Sequence, residues 1–205
     1  MIKFLIWFKR KFPSIWIIAE SVNGLIFSFL HSKKLTKNLV ENMEKQNDGQ
    51  LVYRFIKFDD LKYLEAFFKE QDQEQFKFFK PHSFDVKTLK RLLKNPSFIM
   101  MGVFDGDKIA GYFFLRCFIN SKVFVGRVVD GRYQGKGIAK TMAKIMHISA
   151  WSSKLRIFST VSSENFASIF SHKAISEVVV REKLDNGYLL LEYLKVNSLE
   201  NNNGL

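Results

Sequence analysis

Residues 134–139 read Gln134-Gly135-Lys136-Gly137-Ile138-Ala139, and they separate two regular patterns. Before them an apolar run over residues 123–129 predicts a β-strand, and after them a helical pattern continues to about Trp151. A strand, a glycine-rich turn and a helix start form an anion site, because the first N–H groups of a helix have no partners within it and its dipole is positive there. The absence of a Cβ at both glycines lets phosphate oxygens approach the amides. The stretch therefore predicts a pyrophosphate-binding turn.

The spacing of this turn excludes two common nucleotide-binding motifs. It lacks the Gly-x-x-x-x-Gly-Lys-Ser/Thr of a P-loop and the Gly-x-Gly-x-x-Gly of a dinucleotide fold. The pattern Gln134-x-x-Gly137-x-Ala139 resembles the coenzyme A loop of the GCN5-related N-acetyltransferase (GNAT) superfamily, whose signature is Gln/Arg-x-x-Gly-x-Gly/Ala. The resemblance implies that residues 134–139 bind coenzyme A.

A second pattern follows about thirty residues later in the chain. A strand-like run over residues 155–161 leads to a segment in which Ser162 or Ser163 can cap a helix. GNAT proteins are similar here, with an asparagine that opens the next helix and contacts the pantetheine or the backbone between splayed strands. The matching residues are Asn165 and, three residues on, Ser168, so the resemblance places both at the cofactor. The alternative is that Asn165 caps the helix and does no more.

The order of the predicted elements also resembles the GNAT order. From residue 51 the chain reads β-α-α-β-β-β-α-β-α-β-β, with hairpin signals at residues 105–107 and 185–187. The predicted strands cover residues 52–57, 97–104, 108–118, 123–129, 155–161, 178–180 and 188–194, and the first two helices run from Asp59 to about Glu70 and from Phe84 to Leu93. The match over about residues 51–195 implies an α+β fold. Its mixed central sheet is flanked by helices and splayed beside the fourth strand.

The composition changes near residue 50, which predicts an apolar and basic helical extension over residues 1–50 and a GNAT-like acyltransferase domain over residues 51–205. Pro13 can begin a helix. Apolar residues then recur at helical spacing at Ile15, Ile18, Val22, Leu25 and Phe29. Glu20 argues against a membrane span, because a central acid costs about 2.5–3.5 kcal/mol on insertion. Two alternatives remain: a helix peripheral to the anionic inner face of a membrane, or a helix packed on the domain or on a second subunit in a homodimer.

The 205 residues carry a net charge of +12 and one cysteine, Cys117. A single cysteine excludes an internal disulfide and fits a reducing cytosol, so we expect a cytoplasmic protein. The positive charge favours anionic partners, and coenzyme A or a sugar nucleotide fits better than nucleic acid, for which the sequence carries no motif. The four histidines are scattered and none pairs with cysteine at ligand spacing, so we expect no metal.

The resemblance implies direct transfer of an acetyl group from acetyl-CoA to the primary amine of a small acceptor. In the family a backbone N–H of the fourth strand polarises the thioester carbonyl, and the matching residues are Val128 and Val129. The family's catalytic tyrosine, seven residues after the asparagine, is replaced by His172, which donates a proton to the leaving thiolate if it is protonated. His82 lies in the segment that matches the acceptor loop, and we expect it to bind the acceptor or to act as the base.

Three more side chains have two interpretations each. Asp130 is a base beside the cofactor loop or the anchor of its turn. Arg116 and Arg127 bind an anionic acceptor, such as an amino sugar or sugar nucleotide, or are paired within the sheet. For the whole chain, the alternative is a GNAT-shaped acyl-CoA-binding or scaffold protein with weak or no catalysis, attached to a membrane surface.

Overall fold

The computed structural model describes residues 11–47, 49–72, 76–184 and 187–196. The helices are α1 (Pro13–Phe27), α2 (Lys33–Glu44), α3 (Leu61–Glu70), α4 (Val86–Leu93), α5 (Ile138–Ser152) and α6 (Phe166–Lys173). A π-helical segment (Ser28–Ser32) joins α1 to α2, and 3-10 turns (Phe58–Asp60 and Gly131–Tyr133) precede α3 and α5. The strands are β1 (Leu51–Phe55), β2 (Phe98–Asp105), β3 (Lys108–Cys117), β4 (Lys122–Val129), β5 (Arg156–Ser162), β6 (Glu177–Lys183) and β7 (Tyr188–Leu194). From β1 onward, the order of helices and strands is the predicted one.

Acidic residues are the N-caps of α3 and α4, and at α4 the acidic side chain makes the capping bond. Before α3 the carboxylate of Asp60, rather than that of Asp59, accepts from the backbone N–H of Lys57 at 2.6 Å. The helix was predicted to begin at Asp59, whereas a 3-10 turn occupies residues 58–60 and the N-cap of α3 is Asp60. At α4 the carboxylate of Asp85 accepts from the N–H of Thr88 at 2.9 Å, as a helix N-cap does.

The sheet has seven strands in the order β1-β2-β3-β4-β5-β7-β6, and among the described strands β4 and β5 form its single parallel pair. This pair is short. It joins Lys122, Val123 and Phe124 to Arg156, Ile157 and Phe158. Beyond these residues β4 continues to Val129 and β5 to Ser162 without pairing to each other. The sheet is therefore mixed and splayed beside β4, which confirms the predicted fold class.

Two antiparallel pairs occur where the sequence carries hairpin signals. β2 and β3 are joined through Gly106 and Asp107, and Gly106 has a positive φ of 56° that suits glycine. β6 and β7 pair antiparallel, as the hairpin signal predicted. Two residues of that signal, Asp185 and Asn186, lie outside the described residues.

Hydrophobic layers cover both faces of the sheet. On one face α2 and α5 contribute Leu35, Leu39, Met142 and Met146, which pack with Met101, Phe113, Leu115 and Ile157. On the other face α3 and α4 contribute Leu61, Leu64, Phe68 and Leu89, which pack with Met100, Tyr112 and Phe114. Fully burying such a side chain contributes about 1.5–3 kcal/mol, so both layers stabilise the sheet strongly. The second helix of the N-terminal extension, α2, is part of this core.

The first helix, α1, contacts the sheet through an ion pair. Glu20 pairs with Arg116 of β3 at 2.7 Å and with Arg91 of α4 at 3.3 Å. Arg116 is therefore paired, which is the second of its two interpretations. Among the described residues, no helix is long and apolar enough to cross a membrane.

Two more residues of α1 fit closely against the sheet. The amide of Asn23 donates to the carbonyl oxygen of Cys117 at 2.9 Å, and its oxygen accepts from the N–H of Ile119 at 3.1 Å. Cys117 is fully buried, and burial raises the pKa of its thiol. Gly24 passes so close to the chain before β2 that an added Cβ would lie 2.6 Å from Oδ1 of Asn95. The docking face of α1 thus combines Glu20, Asn23 and Gly24 with the fully buried Phe27.

Candidate functional site

A cleft opens where β4 and β5 stop pairing. It has a volume of ≈ 370 Å³ and is bounded by both strands, by α6, by the start of α5 and by the loop before α4. The structure brings many of the predicted site residues to its walls: Val128, Val129, Gln134, Ala139, Asn165, Ser168 and His172. We call it the β4–β5 cleft.

The backbone of β4 presents N–H groups to this cleft. The bonds Asp130 N–H to Ala110 O and Phe118 N–H to Lys122 O, both 2.9 Å, belong to one unbroken antiparallel register between β3 and β4. Alternation along that register directs the N–H of every second β4 residue, Val128 among them, toward β3. The N–H groups of Arg127 and Val129 therefore face the cleft. Of the two predicted positions for a polarising amide, Val129 has the suitable direction.

The glycine turn lies at one end of the cleft. Gly135 and Gly137 have positive φ angles of 76° and 77°, and a Cβ built on either would meet no atom within 4 Å. Ile138 begins α5 with a buried side chain, so it faces a ligand through its backbone alone. No side chain of the described residues caps the start of α5, which leaves the N–H groups of its first turn available to an anion. The turn thus has the backbone geometry of an anion site.

Hydrogen bonds of Asp130 hold the segment that precedes the glycine turn. The carboxylate of Asp130 accepts from the backbone N–H of Arg132 at 2.8 Å and from its side chain at 2.6 Å and 2.9 Å, and it also accepts from Gln71 at 2.9 Å. The bonds from Arg132 are the main cause that lowers the pKa of Asp130 to about 2. Asp130 therefore anchors the turn and is a poor base. Lys136 extends from the turn with its ammonium 4.9 Å from the ring centroid of Tyr133.

Asn165 begins the helix on the far wall of the cleft. Its side-chain oxygen accepts from the backbone N–H of Ser168 at 3.1 Å, so Asn165 is the N-cap of α6. Neither Ser162 nor Ser163 caps this helix, because a further turn separates them from its first residue. Asn165 and Ser168 both line the cleft, so the cap and the predicted ligand contact are compatible.

Arg127 carries a charge on the cleft wall that no acid of the described residues neutralises. Its guanidinium donates to Oγ of Ser171 at 2.6 Å and to Nδ1 of His172 at 3.2 Å, both neutral acceptors. Burial lowers the pKa of Arg127 to about 10, which leaves it charged at neutral pH. A partly buried cation between neutral partners attracts anions, because a bound anion offsets the cost of its desolvation.

Arg127 also determines the state of His172. A guanidinium has donors and no acceptor, so Nδ1 of His172 accepts and carries no proton. Burial first, and then the positive charge of Arg127, lower the pKa of His172 far below its ordinary value. Near neutral pH the ring is uncharged. This geometry argues against the predicted role of His172 as a protonated donor to the thiolate.

Two rings stack with His172 and form a buried group that the sequence did not predict. The ring of Tyr193 lies 4.3 Å from that of His172, and the ring of His147 lies 5.3 Å from it, centroid to centroid. Burial, and then Arg127, lower the pKa of His147 to about 3, and burial raises the pKa of Tyr193 to about 12. These side chains come from α5, α6 and β7, and no sequence spacing connects them.

The structure does not bring His82 into the β4–β5 cleft. His82 lines a different cavity of ≈ 340 Å³, together with Glu20 and Arg116. Its Nδ1 lies 2.8 Å from the carbonyl oxygen of the next residue and its Nε2 lies 3.1 Å from the hydroxyl of Tyr112. Burial lowers the pKa of His82, so it is neutral with both nitrogens engaged. In the described ranges, no group of three or more His, Cys, Asp or Glu side chains is placed to hold a metal ion.

Comparisons of sequence and of structure give different results. No model of a protein family and no curated protein matches the sequence. Solved structures do match the fold. The GNAT domain of S. lividans PAT has a TM-score of 0.60 at 17% identity, covering 69% of this chain and 88% of that domain. PaiA N-acetyltransferase from Thermoplasma acidophilum, solved with coenzyme A, has a TM-score of 0.57 at 17% identity, covering 70% of this chain and 98% of that one.

A third solved structure is the aminoglycoside acetyltransferase AAC(6′)-Ib in complex with coenzyme A and kanamycin. Its TM-score is 0.59 at 12% identity, and the match covers 75% of this chain and 99% of that one. Identities this low establish a shared architecture and leave the chemistry to the site. The protein has the fold of the GCN5-related N-acetyltransferases.

Proposed function

We propose that this chain is an N-acetyltransferase that moves the acetyl group of acetyl-CoA directly to the primary amine of a small acceptor. The observation that carries the proposal is the open glycine turn at the end of a cleft that divides the sheet along β4. Two structures with the same fold, PaiA and the aminoglycoside acetyltransferase, were solved with coenzyme A.

The chemical groups of the cleft suit acetyl-CoA. The N–H groups around Gly135 and Gly137 suit a pyrophosphate, and the exposed Lys136 adds positive charge there. Along β4, the N–H groups that face the cleft suit carbonyl oxygens of the pantetheine arm and of the thioester. Asn165 and Ser168 lie on the far wall of the cleft and offer polar groups there.

In the proposed reaction, the neutral amine attacks the carbonyl carbon of the thioester. A C–N bond forms and the C–S bond breaks, and the sulfur keeps the electron pair as a thiolate. One proton leaves the nitrogen and one joins the sulfur, so the products are an acetylated amine and a free thiol. The N–H of Val129 stabilises the oxyanion that develops on the carbonyl oxygen. We assign His172 to the positioning of Arg127, since a neutral ring that accepts from a guanidinium is not a proton donor at Nδ1.

The acceptor that we propose is an amino sugar that carries an anionic group, as a sugar nucleotide does. Arg127 supports this choice, because its charge has no acidic partner among the described residues and lies in the cleft. Kanamycin, which is bound to one structure of the same fold, is a cationic amino sugar. The charge of Arg127 disfavours such a ligand and favours a phosphate or carboxylate.

The test begins with calorimetry of acetyl-CoA binding and continues with thiol release from three acceptors: a nucleotide-linked amino sugar, the free amino sugar and kanamycin. We expect the variant Arg127→Gln to raise the KM for the nucleotide-linked sugar by about tenfold to a hundredfold, the usual effect of losing a hydrogen bond to a charged group. The KM for the free amino sugar should change little.

The matched control is Arg116→Gln, because Arg116 pairs with Glu20 and lies outside the cleft. It should leave both KM values unchanged. Absence of acetyl-CoA binding, or of thiol release with every acceptor, would overturn the acetyltransferase proposal. An equal rise in KM for the charged and the neutral sugar with Arg127→Gln would overturn the anionic acceptor alone.

A further inference from the structure

The helix α1 has an apolar stripe that faces away from the protein. Ile15, Ile18, Val22, Leu25 and Phe29 recur every three or four residues, so they lie along one side of the helix and its π-helical continuation. All five are exposed, Leu25 to 70% and Phe29 to 90%. Ile26 and Leu30 flank the stripe and are exposed as well. Single exposed apolar residues are ordinary, whereas a contiguous patch of this kind marks an interaction surface.

The orientation of α1 is the reverse of that of an ordinary surface helix. Glu20, Asn23, Gly24 and the fully buried Phe27 face the protein and hold the helix there, while the five apolar side chains of the stripe are outside. A helix that served only to cover the domain would bury its apolar stripe. The docking contacts instead fix the stripe in an outward direction, which makes it available to a partner.

Charge identifies the class of partner. Lys11, Lys33 and Lys34, at the two ends of the stripe, are exposed. Between residues 11 and 40 the sequence has one acid, Glu20, and its carboxylate is bound to Arg116 and Arg91 on the docking face. The outward surface of α1 therefore combines large apolar side chains with positive charge and carries no acidic side chain.

We propose that this outward surface of α1 docks on an anionic lipid bilayer. The apolar stripe enters the boundary between headgroups and acyl chains, and the lysines at its ends meet the phosphates of the headgroups. A second copy of the chain is a poor occupant, because each copy carries a net charge of +12 and the two basic surfaces repel each other. Because Glu20, Asn23 and Gly24 hold the opposite side of α1 on the protein, only the outward side can enter the bilayer, and the helix lies along its surface. This proposal stands apart from the proposed catalysis.

The test is flotation of the full chain with vesicles of phosphatidylcholine alone and with vesicles that contain an equal part of phosphatidylglycerol. We expect binding to the anionic vesicles. The double variant Leu25→Ser with Phe29→Ser should weaken that binding by about tenfold or more, because two large side chains no longer reach the acyl boundary. Both positions are exposed, so the variant should keep the wild-type melting temperature.

The matched control is Phe58→Ser with Tyr63→Ser, which removes two exposed aromatic side chains outside α1. It should bind anionic vesicles as the wild type does. A further variant, Lys33→Gln with Lys34→Gln, tests the contribution of charge. It should bind anionic vesicles more weakly than the wild type, and its binding should depend less on salt concentration.

Three outcomes would overturn the proposal. One is that the wild type does not float with anionic vesicles. Another is that the Leu25 and Phe29 double variant and the control bind equally well. The third is that the wild type is a dimer in analytical ultracentrifugation, that the double variant is a monomer, and that neither floats; the surface would then join two copies.

Discussion

Gly135 and Gly137 show how single residues set the chemistry of the turn. Neither glycine is needed for space, because nothing lies within 4 Å of an added Cβ. Both are needed for backbone direction, since φ angles of 76° and 77° cost an L side chain free energy. The turn that they shape lies beside the β4–β5 cleft, which Gln134 and Ala139 line.

We therefore predict that Gly137→Ala lowers the free energy of unfolding by about 1–2 kcal/mol, the cost of a left-handed conformation, and also weakens binding of coenzyme A. Gly106→Ala is the control, because Gly106 has a φ of 56° and open space around it but lies in the β2–β3 hairpin. It should show a similar loss of stability in urea and unchanged affinity by calorimetry. Equal affinity in the two variants would remove the turn from the binding site.

For single residues, the sequence predicted which side chains lie at the site better than it predicted their protonation states. The resemblance located Asn165 and His172, and both line the cleft. It did not predict that His172 is neutral, because the cause is a buried contact with Arg127 from another element. It also placed His82 at the acceptor, a role that stays a prediction although the structure places His82 in a different cavity. Charge states depend on neighbours that are distant in the chain.

At the scale of elements, α1 is docked by a face that combines the fully buried Phe27 with a close backbone approach at Gly24. Gly24 lies against Asn95 and Pro96, and Oδ1 of Asn95 accepts from the N–H and the hydroxyl of Ser97. Because Asn95 is held in place by these bonds, it cannot move aside for a larger side chain. The helical pattern of residues 13–29 was readable from the sequence. Which face is buried was not, since the apolar stripe is the face that a pattern would place inside.

The substitution Gly24→Ala tests this docking through the sign of its effect. In an exposed helix interior this change stabilises by roughly 1 kcal/mol. Here the added Cβ would lie 2.6 Å from Oδ1 of Asn95, so we expect a loss of stability instead. Ser21→Ala, at an exposed position of the same helix, should have no comparable cost. A Gly24→Ala variant more stable than the wild type in urea would show that α1 does not pack here.

At the scale of the whole molecule, two buried neutral histidines make stability depend on pH. His147 and His172 have lowered pKa values in the folded chain and ordinary values near 6.5 when unfolded. Between the folded and unfolded pKa values, the unfolded chain binds more protons than the folded chain. The free energy of unfolding therefore has its full value above pH 6.5 and decreases as the pH falls below it. The buried carboxylates Asp130 and Glu192 also have lowered pKa values, and their effect begins below about pH 4.5.

We predict that the free energy of unfolding falls by about 3 kcal/mol from pH 7.5 to 5.5, with about 1.4 kcal/mol from each histidine. Urea denaturation at the two pH values measures it. His147→Leu should halve the difference, and it removes a buried Nε2 that has no hydrogen-bond partner among the described residues. Equal stability of the wild type at both pH values would mean that the two histidines bind protons in the folded chain as readily as in the unfolded chain.

The architecture was the most predictable property of the chain. Hairpin glycines, helix-capping acids and alternating apolar runs are local signals, and they predicted the element order from β1 to β7. The splay beside β4 came from the resemblance, because no local signal states where a parallel pair ends. The stacking of His147, His172 and Tyr193 depends on three elements meeting and had no signal at all.

The short parallel contact between β4 and β5 has a mechanical consequence. Three residue pairs, Lys122–Phe124 against Arg156–Phe158, join the four strands β1 to β4 to the three strands β5, β7 and β6. Bending about these three pairs would change the width of the cleft without breaking an antiparallel pair of the described strands. A ligand that spans the cleft would contact both parts of the sheet. Its length and stiffness would then set the angle between β1–β4 and the strands β5, β7 and β6.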